Sequence, residues 1–233
     1  MNGSSEVRNA LGKFKENEII RASKLYSEEL SGKLSEAAYY KTLQRMCELG
    51  ELVKIAKGTY HLPKISKYGI IPPSENEIIS AFTENKSGTV VGYSLYNSLD
   101  LTTQISKTVN VVSSTLDGFS KSIRNVVIHR MPLEFTPDIE EMVKGLEVLQ
   151  NFDSIQELNY SAFLKYTEKL AKSFKEETFE EVVSAVPYKK STISFLKEIL
   201  NYYKIENNLS KYLSTLSKYK HPKMEELYEA ARV

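Results

Sequence analysis

Ser35-Glu36-Ala37-Ala38-Tyr39-Tyr40-Lys41-Thr42-Leu43-Gln44-Arg45-Met46-Cys47-Glu48-Leu49-Gly50 is the stretch on which the N-terminal fold turns. Ser35 is a favoured helix N-cap, and Glu36 places negative charge in the first turn, where the helix dipole is positive. The helix runs through Ala38, Tyr39, Leu43, Met46 and Leu49, whose three- and four-residue spacings mark the buried face. Gly50 ends it, as a C-terminal glycine does. With that face inward, Tyr40, Lys41, Gln44 and Arg45 are expected to point outward.

Upstream, residues 7–14 form a short apolar-periodic helix. Residues 19–30 read as a second helix, with Ile19, Ile20, Ala22, Leu25 and Tyr26 in a stripe, broken by Ser31-Gly32-Lys33. Downstream, Leu52, Val53 and Ile55 lead into Lys57-Gly58, and Thr59, Tyr60 and Leu62 lead out, which predicts a hairpin. Pro63 closes the unit, and residues 64–74, with Pro72-Pro73, read as a linker. Helix, helix, capped helix, hairpin is the layout of a winged helix-turn-helix, expected over residues 1–67.

Such a layout has a use. A helix of about four turns fits the major groove of B-DNA and shows its N-terminal residues to base edges. Gln44 suits adenine, and Arg45 suits guanine or phosphate. Lys54 and Lys57 on the hairpin are placed for phosphates or an adjacent minor groove. Ser35, Tyr40, Lys41, Gln44, Arg45, Lys54 and Lys57 are therefore the candidate DNA-binding residues. Tyr39 and Tyr60 are assigned to the core. A solvated outer face, or a winged helix that binds protein, is the plainer alternative.

Beyond residue 74 the pattern changes. Residues 75–131 read as a small α/β unit: helix 75–82, strand 89–91, helix 93–99 after Gly92, and strands 108–113 and 125–129. From 138 to 233 the chain reads as helical. Its stripes are Ile139, Met142, Val143, Leu146 and Leu149, then Phe163, Leu164, Thr167, Leu170 and Phe174. Phe179, Val182, Val183 and Val186 follow, then Ile193, Leu196, Ile199, Leu200 and Tyr203, with Leu209, Tyr212, Leu213 and Leu216 and a last helix from Pro222. The expected class is α+β and mostly helical: a winged helix-turn-helix, a small α/β unit and a helical C-terminal region. The alternative division joins residues 75–233 into one domain.

Charge follows this division. The whole chain carries +1, but residues 1–70 carry +4, residues 71–130 are neutral, and residues 131–233 carry −3. A basic head suits contact with phosphate, and the acidic tail a different task. No apolar run approaches the ~18 residues of a membrane span. Met1-Asn2-Gly3-Ser4-Ser5-Glu6 lacks the basic and apolar regions of a secretory signal. A single cysteine, Cys47, excludes an internal disulfide and a cysteine zinc cluster. A cytoplasmic protein without cofactor is expected.

Catalytic signals are sparse. His61, His129 and His221 lie far apart and lack metal-ligand spacing, so each reads as a surface or strand-end histidine. Gly88 and Gly92 lack the Lys-Ser/Thr ending of a phosphate loop. Ser113-Ser114 has no base to support a nucleophile and reads as a turn. Glu176-Glu177 and Glu180-Glu181 read as a solvated acidic face. A restriction-like nuclease needs an Asp and then Glu/Asp-x-Lys on a strand; only Asp117 follows strand 108–113, and strand 125–129 has neither carboxylate nor Lys. No enzyme is expected.

The run Arg45-Met46-Cys47-Glu48-Leu49-Gly50-Glu51-Leu52-Val53-Lys54-Ile55-Ala56-Lys57-Gly58-Thr59-Tyr60 resembles the R-L-x-x-x-G-x-L-x-x-x-x-x-G-x-Y signature of AbiEi-family antitoxins. Gly88 through Thr102 resembles that family's small-residue, helix, G-L-T segment, and Thr108 through Val112 its next strand. Asp100 stands where many members have glycine, and Tyr39 and Tyr40 enlarge the recognition helix. The resemblance spans about residues 7–130. It implies a winged helix that binds inverted repeats of double-stranded DNA in its own promoter and represses transcription. It also implies a remaining part that neutralises a nucleotidyltransferase-like toxin of the same operon, without need of a stable complex. By motif position Tyr40, Lys41, Gln44, Arg45, Lys54 and Lys57 would face DNA. The alternative is a winged-helix transcription factor without a toxin, whose C-terminal part senses a ligand or forms an oligomer.

Overall fold

The computed structural model describes residues 3–232; Met1, Asn2 and Val233, at the outer ends of the expected first and last domains, lie outside the described residues. The chain is α+β and divides into two compact units. One runs to Ala81 and takes in Lys121–Val126; the other comprises Phe82–Ser120 and the chain from Val127.

The first unit begins with α1 (Gly3–Leu11), β1 (Ile19–Arg21) and α2 (Ala22–Leu25), which passes into a π turn over Tyr26–Leu30. Then come α3 (Glu36–Glu48) and the hairpin of β2 (Val53–Ala56) and β3 (Thr59–His61). The sheet order is β1-β3-β2, all antiparallel, with Ile19 opposite His61 and Ile20 opposite Tyr60. Residues 19–21 therefore form a strand, where the apolar stripe suggested the first turn of a helix. Two adjacent β-branched residues fit either element, and β3 supplies the backbone partners that favour the strand. The helix starts only at Ala22, whose N–H donates to the Gly58 carbonyl at 3.0 Å.

Val7, Leu11, Ile20, Leu25, Leu30, Tyr39, Leu43 and Leu52 fill the core of this unit. Leu49, expected on the buried stripe, is 68% exposed. The helix has already ended at Glu48, and Gly50, at φ 73°, turns the chain back. The N–H groups of Glu51 and Leu52 then donate to the Met46 carbonyl at 2.9 and 3.3 Å, so Leu52 rather than Leu49 continues the apolar face.

The expected linker is also structured. β4 (Lys64–Ser66) and β5 (Gly69–Ile71) form an antiparallel hairpin with Ile65 opposite Ile70. Ser66 Oγ closes its turn, accepting from the Tyr68 N–H at 3.1 Å and donating to the Gly69 carbonyl at 3.0 Å. α4 (Glu75–Thr83) follows, opened by a reciprocal cap: the Ser74 N–H donates to Glu77 Oε2 at 2.6 Å and the Glu77 N–H to Ser74 Oγ at 3.3 Å. The inserted segment is pinned by side chains. Lys121 Nζ donates to Thr59 Oγ1 at 2.9 Å, Arg124 to the Pro73 carbonyl at 2.6 Å, and Asn125 to Glu75.

In the second unit, β6 (Gly88–Val91), α5 (Tyr93–Ser98), β7 (Val109–Ser113) and β9 (Val126–Arg130) contribute sheet strands in the order β6-β7-β9; β8 (Ser120–Ile123) lies largely in the segment that belongs to the first unit. β8 is missing from the sequence expectation because Ser120-Lys121-Ser122-Ile123 offers one apolar side chain. The helices are α6 (Pro137–Gln150), α7 (Tyr160–Lys172), α8 (Glu176–Ala185), α9 (Lys190–Tyr202) and α10 (Met224–Ala230). Thr136 caps α6 through the Ile139 N–H, with Pro137 in the first turn. Ile139, Met142, Leu146, Phe163, Leu170, Phe179, Leu196 and Ile199 all enter one core, as their stripes indicated. Leu216 is 95% exposed, outside any helix.

Gly88 marks the tightest approach in this unit. A Cβ there would lie 2.2 Å from the Val112 carbonyl oxygen and 2.4 Å from that of Phe82, both backbone atoms. Gly88→Ala is expected to cost roughly 1–3 kcal/mol through overpacking and to lower the thermal midpoint by several degrees. An unchanged midpoint in a thermal melt would contradict the close approach.

Candidate nucleic-acid interface

α3 is set from its N-terminus. Ser35 Oγ accepts from the Ala38 N–H at 3.4 Å, so the side chain is already committed to the cap. Tyr39, Leu43 and Met46 are buried. The Tyr39 hydroxyl donates to the Ala22 carbonyl at 3.0 Å, and its ring meets those of Tyr26 and Tyr40 at 5.3 and 5.2 Å. Burial, with Tyr40 and Tyr60 adding to it, holds the Tyr39 phenol well above its ordinary pKa, so it stays a neutral donor.

The opposite face carries Lys41, Gln44, Arg45 and Glu48, all exposed. Gln44 Nε2 donates to Glu48 Oε1 at 3.0 Å along its own helix. Tyr40 departs from the outward set: it is half-buried and packs against the core. Its place beside Tyr39 turns it toward the apolar side. Lys54 and Lys57 are exposed on β2 and at the tip of the first hairpin.

Three cations of this unit meet carboxylates: Arg8 with Glu51 at 3.0 Å, Lys13 with Glu29 at 2.6 Å and Lys24 with Glu28 at 3.7 Å. Among the described residues, Lys41, Arg45, Lys54 and Lys57 make no ion pair. Charge coupling also ties the hairpin to the helix. Burial raises the Cys47 thiol pKa, and the Lys54 ammonium acts against that rise. The Tyr60 phenol is raised by burial, then by Cys47 and Tyr40. Tyr60 on β3 lies in the same core as Tyr39, Leu43 and Met46 of α3, and Cys47 packs against that core.

Lys64, Lys67 and Tyr68 stand outside the sequence-derived set, since residues 64–74 read as a linker. A signal was present: from Leu52 to Ser74 the chain holds four lysines and no Asp or Glu. The alternation of Lys64, Ile65 and Ser66 before Gly69 was a second signal.

Other expected features have local roles. His61 is buried at the end of β3, where burial lowers its pKa, and Nδ1 lies 3.0 Å from the Leu62 carbonyl. His129 is exposed on β9, and the His221 ring stacks on Phe195 at 5.3 Å. Among the described residues no three His, Cys, Asp or Glu side chains gather as metal ligands. Ser113, the last residue of β7, and Ser114 donate their hydroxyls to the Ser87 carbonyl just before β6 at 3.0 and 3.1 Å, a long-range tie between two strands. Lys211 pairs with both Glu176 and Glu180, offsetting one of the four negative charges of the acidic face.

Within the second unit a cleft of about 480 Å³ is lined by Thr89, Ser94, Ser98, Glu140 and Lys144, among others. Glu140 accepts from Thr89 Oγ1 at 2.8 Å and pairs with Lys144 at 2.6 Å. Burial opposes its charge, but the bonds from Lys144 and Thr89 prevail and hold the carboxyl below its ordinary range. No described helix is long and apolar enough to cross a membrane.

These observations define an α+β protein whose first unit holds a capped helix and a lysine-bearing hairpin around a common core. The chain belongs to the family of unknown function DUF6088, whose model matches residues 6–137, more than half its length. No curated protein matches it. Among solved structures, the RV2827C protein from Mycobacterium tuberculosis is similar at 14% identity and a TM-score of 0.39, over 85% of this chain and 76% of that one.

The Cys47 environment gives a check on the α3 geometry. With its pKa raised by burial, the thiol carries less thiolate than free cysteine at pH 8. It is expected to react with an aromatic disulfide reagent more slowly than a cysteine peptide, and more slowly still in Lys54→Ala. A rate at or above that of the peptide would contradict the packing of Cys47 against the hairpin.

Proposed function

We propose that the first unit is a winged helix that binds duplex DNA, and that the protein is the antitoxin and autorepressor of a toxin–antitoxin operon. The observation that carries the DNA half is a set of exposed cations that make no ion pair among the described residues, Lys41 and Arg45 on α3 and Lys54 and Lys57 on the first hairpin. Cations left without carboxylate partners keep their full charge for phosphate, and neutralising phosphate releases counterions. Arg45 and Gln44 are the base-reading candidates on the outer face of α3, with Gln44 first giving up its bond to Glu48. Ser35 orders the helix end, and Tyr40 supports α3 from its half-buried side.

The antitoxin half rests on the resemblance to AbiEi-family antitoxins, and a backbone detail favours it. Asp100, standing where many members have glycine, has φ 57°. That is the left-handed region, which glycine enters freely and Asp tolerates better than most residues. The substitution therefore keeps the backbone turn that the motif requires. In this account the chain beyond the winged helix neutralises a nucleotidyltransferase-like toxin encoded beside it.

A second reading is a transcription factor with no toxin, whose second unit senses a small ligand. The cleft around Thr89, Ser94, Glu140 and Lys144 is the observation in its favour. The neighbouring gene separates the two, since a nucleotidyltransferase gene supports the antitoxin.

The variant Lys41→Ala/Arg45→Ala is expected to abolish gel retardation of the upstream duplex while leaving neutralisation of the co-expressed toxin largely intact. Normal promoter binding by this variant would remove α3 as the recognition helix.

A further inference from the structure

The β4–β5 hairpin is an unusual exposed element. Ile65 is 76% exposed, Tyr68 87% and Ile70 52%. Ile65 and Ile70 are cross-strand partners and so share one face of the ribbon. An isolated two-stranded hairpin is marginal in water, and apolar side chains on its surface add a cost that a partner would remove. The turn is nevertheless well specified, since Ser66 Oγ bonds to both the Tyr68 N–H and the Gly69 carbonyl. The Lys67 ammonium lies 4.9 Å from the centre of the Tyr68 ring, so charge and aromatic surface are presented together.

Charge identifies the partner. Lys64 and Lys67 continue the run begun by Lys54 and Lys57, and no Asp or Glu occurs between Glu51 and Glu75. Protein–protein interfaces are depleted in lysine. Basic residues combined with apolar wedges are instead the composition of minor-groove binders, where Lys meets phosphate and Ile lies against sugar and base edges.

We propose that the β4–β5 hairpin is a second contact to duplex DNA, with Lys64 and Lys67 on phosphates and Tyr68 and the Ile65–Ile70 pair in the minor groove. This rests on the DNA-binding reading and extends it, because the contact adds affinity without base selection. Arg45 would carry selectivity, and the hairpin would lengthen the bound site.

The test compares the full chain with Lys64→Ala/Lys67→Ala and with Arg45→Ala. Two probes are used: the duplex upstream of the chain's own reading frame, and a random-sequence duplex of equal length. The double lysine variant is expected to bind both duplexes more weakly by the same factor. Its plot of log affinity against log salt should be shallower by about 1.8, at roughly 0.9 per phosphate contact. A fourfold rise in salt then costs the wild type about tenfold more affinity than the variant. Arg45→Ala should lose preference for the upstream duplex instead. Lys64→Arg/Lys67→Arg keeps the charge and should keep the wild-type slope. It also guards against misfolding as the cause of any loss.

An unchanged slope in the alanine variant, with Arg45→Ala still unselective, would overturn the hairpin contact and leave the DNA-binding reading standing. So would a change confined to self-association, which would make the hairpin a protein interface. Failure of the wild type to retard either duplex would overturn both.

Discussion

The placement of Tyr39 determines what the rest of the first unit presents. Its side chain is fully buried, its hydroxyl donates to the Ala22 carbonyl where β1 gives way to α2, and its ring stands between Tyr26 and Tyr40. Burying such a side chain contributes roughly 1.5–3 kcal/mol, and the hydrogen bond adds about 1 kcal/mol net. A one-residue shift in the rotation of α3 would expose the ring and leave the Ala22 carbonyl without this donor. The rotation of α3 is thus fixed from the inside, and with it the outward direction of Lys41, Gln44 and Arg45.

The same constraint explains the electrostatic character of that surface. The helix turns an apolar stripe inward and ends at Glu48; Gly50 turns the chain, and Glu51 beyond it bonds to Arg8. The chain from Leu52 to Ser74 then supplies lysines only. Glu51, Glu29 and Glu28 pair with Arg8, Lys13 and Lys24, while Lys41, Arg45, Lys54 and Lys57 have no ion pair among the described residues. Exposed ion pairs of this kind contribute little to stability, so their importance lies in which cations they leave unpaired.

Much of this was legible in the sequence because two residues on either side of α3 have few alternatives. Ser35 caps and Gly50 turns, and the spacing between them gave the buried face correctly at Tyr39, Leu43 and Met46. Leu49 was misassigned because periodicity carries no information about where a helix stops. Ile19 and Ile20 were misassigned because a strand of three residues is specified by its partner β3, which lies about forty positions away in the chain. The second hairpin was hidden by its prolines and polar residues, and its strands bury nothing that a hydrophobic pattern would register. Tyr40 shows the reverse limit: an aromatic next to a buried aromatic is drawn half inside, whatever the helical wheel assigns. The stripes of α6, α7 and α9 were easily read because each runs for three turns or more and meets a shared core.

The most direct measurement is a map of amide chemical-shift changes as the upstream duplex is titrated into the labelled full chain. The largest changes are expected at Lys41, Gln44, Arg45, Lys54 and Lys57, with Tyr39, Leu43 and Met46 little affected. Changes confined to residues beyond Phe82, or none at all, would contradict the assignment of α3 and the first hairpin to DNA.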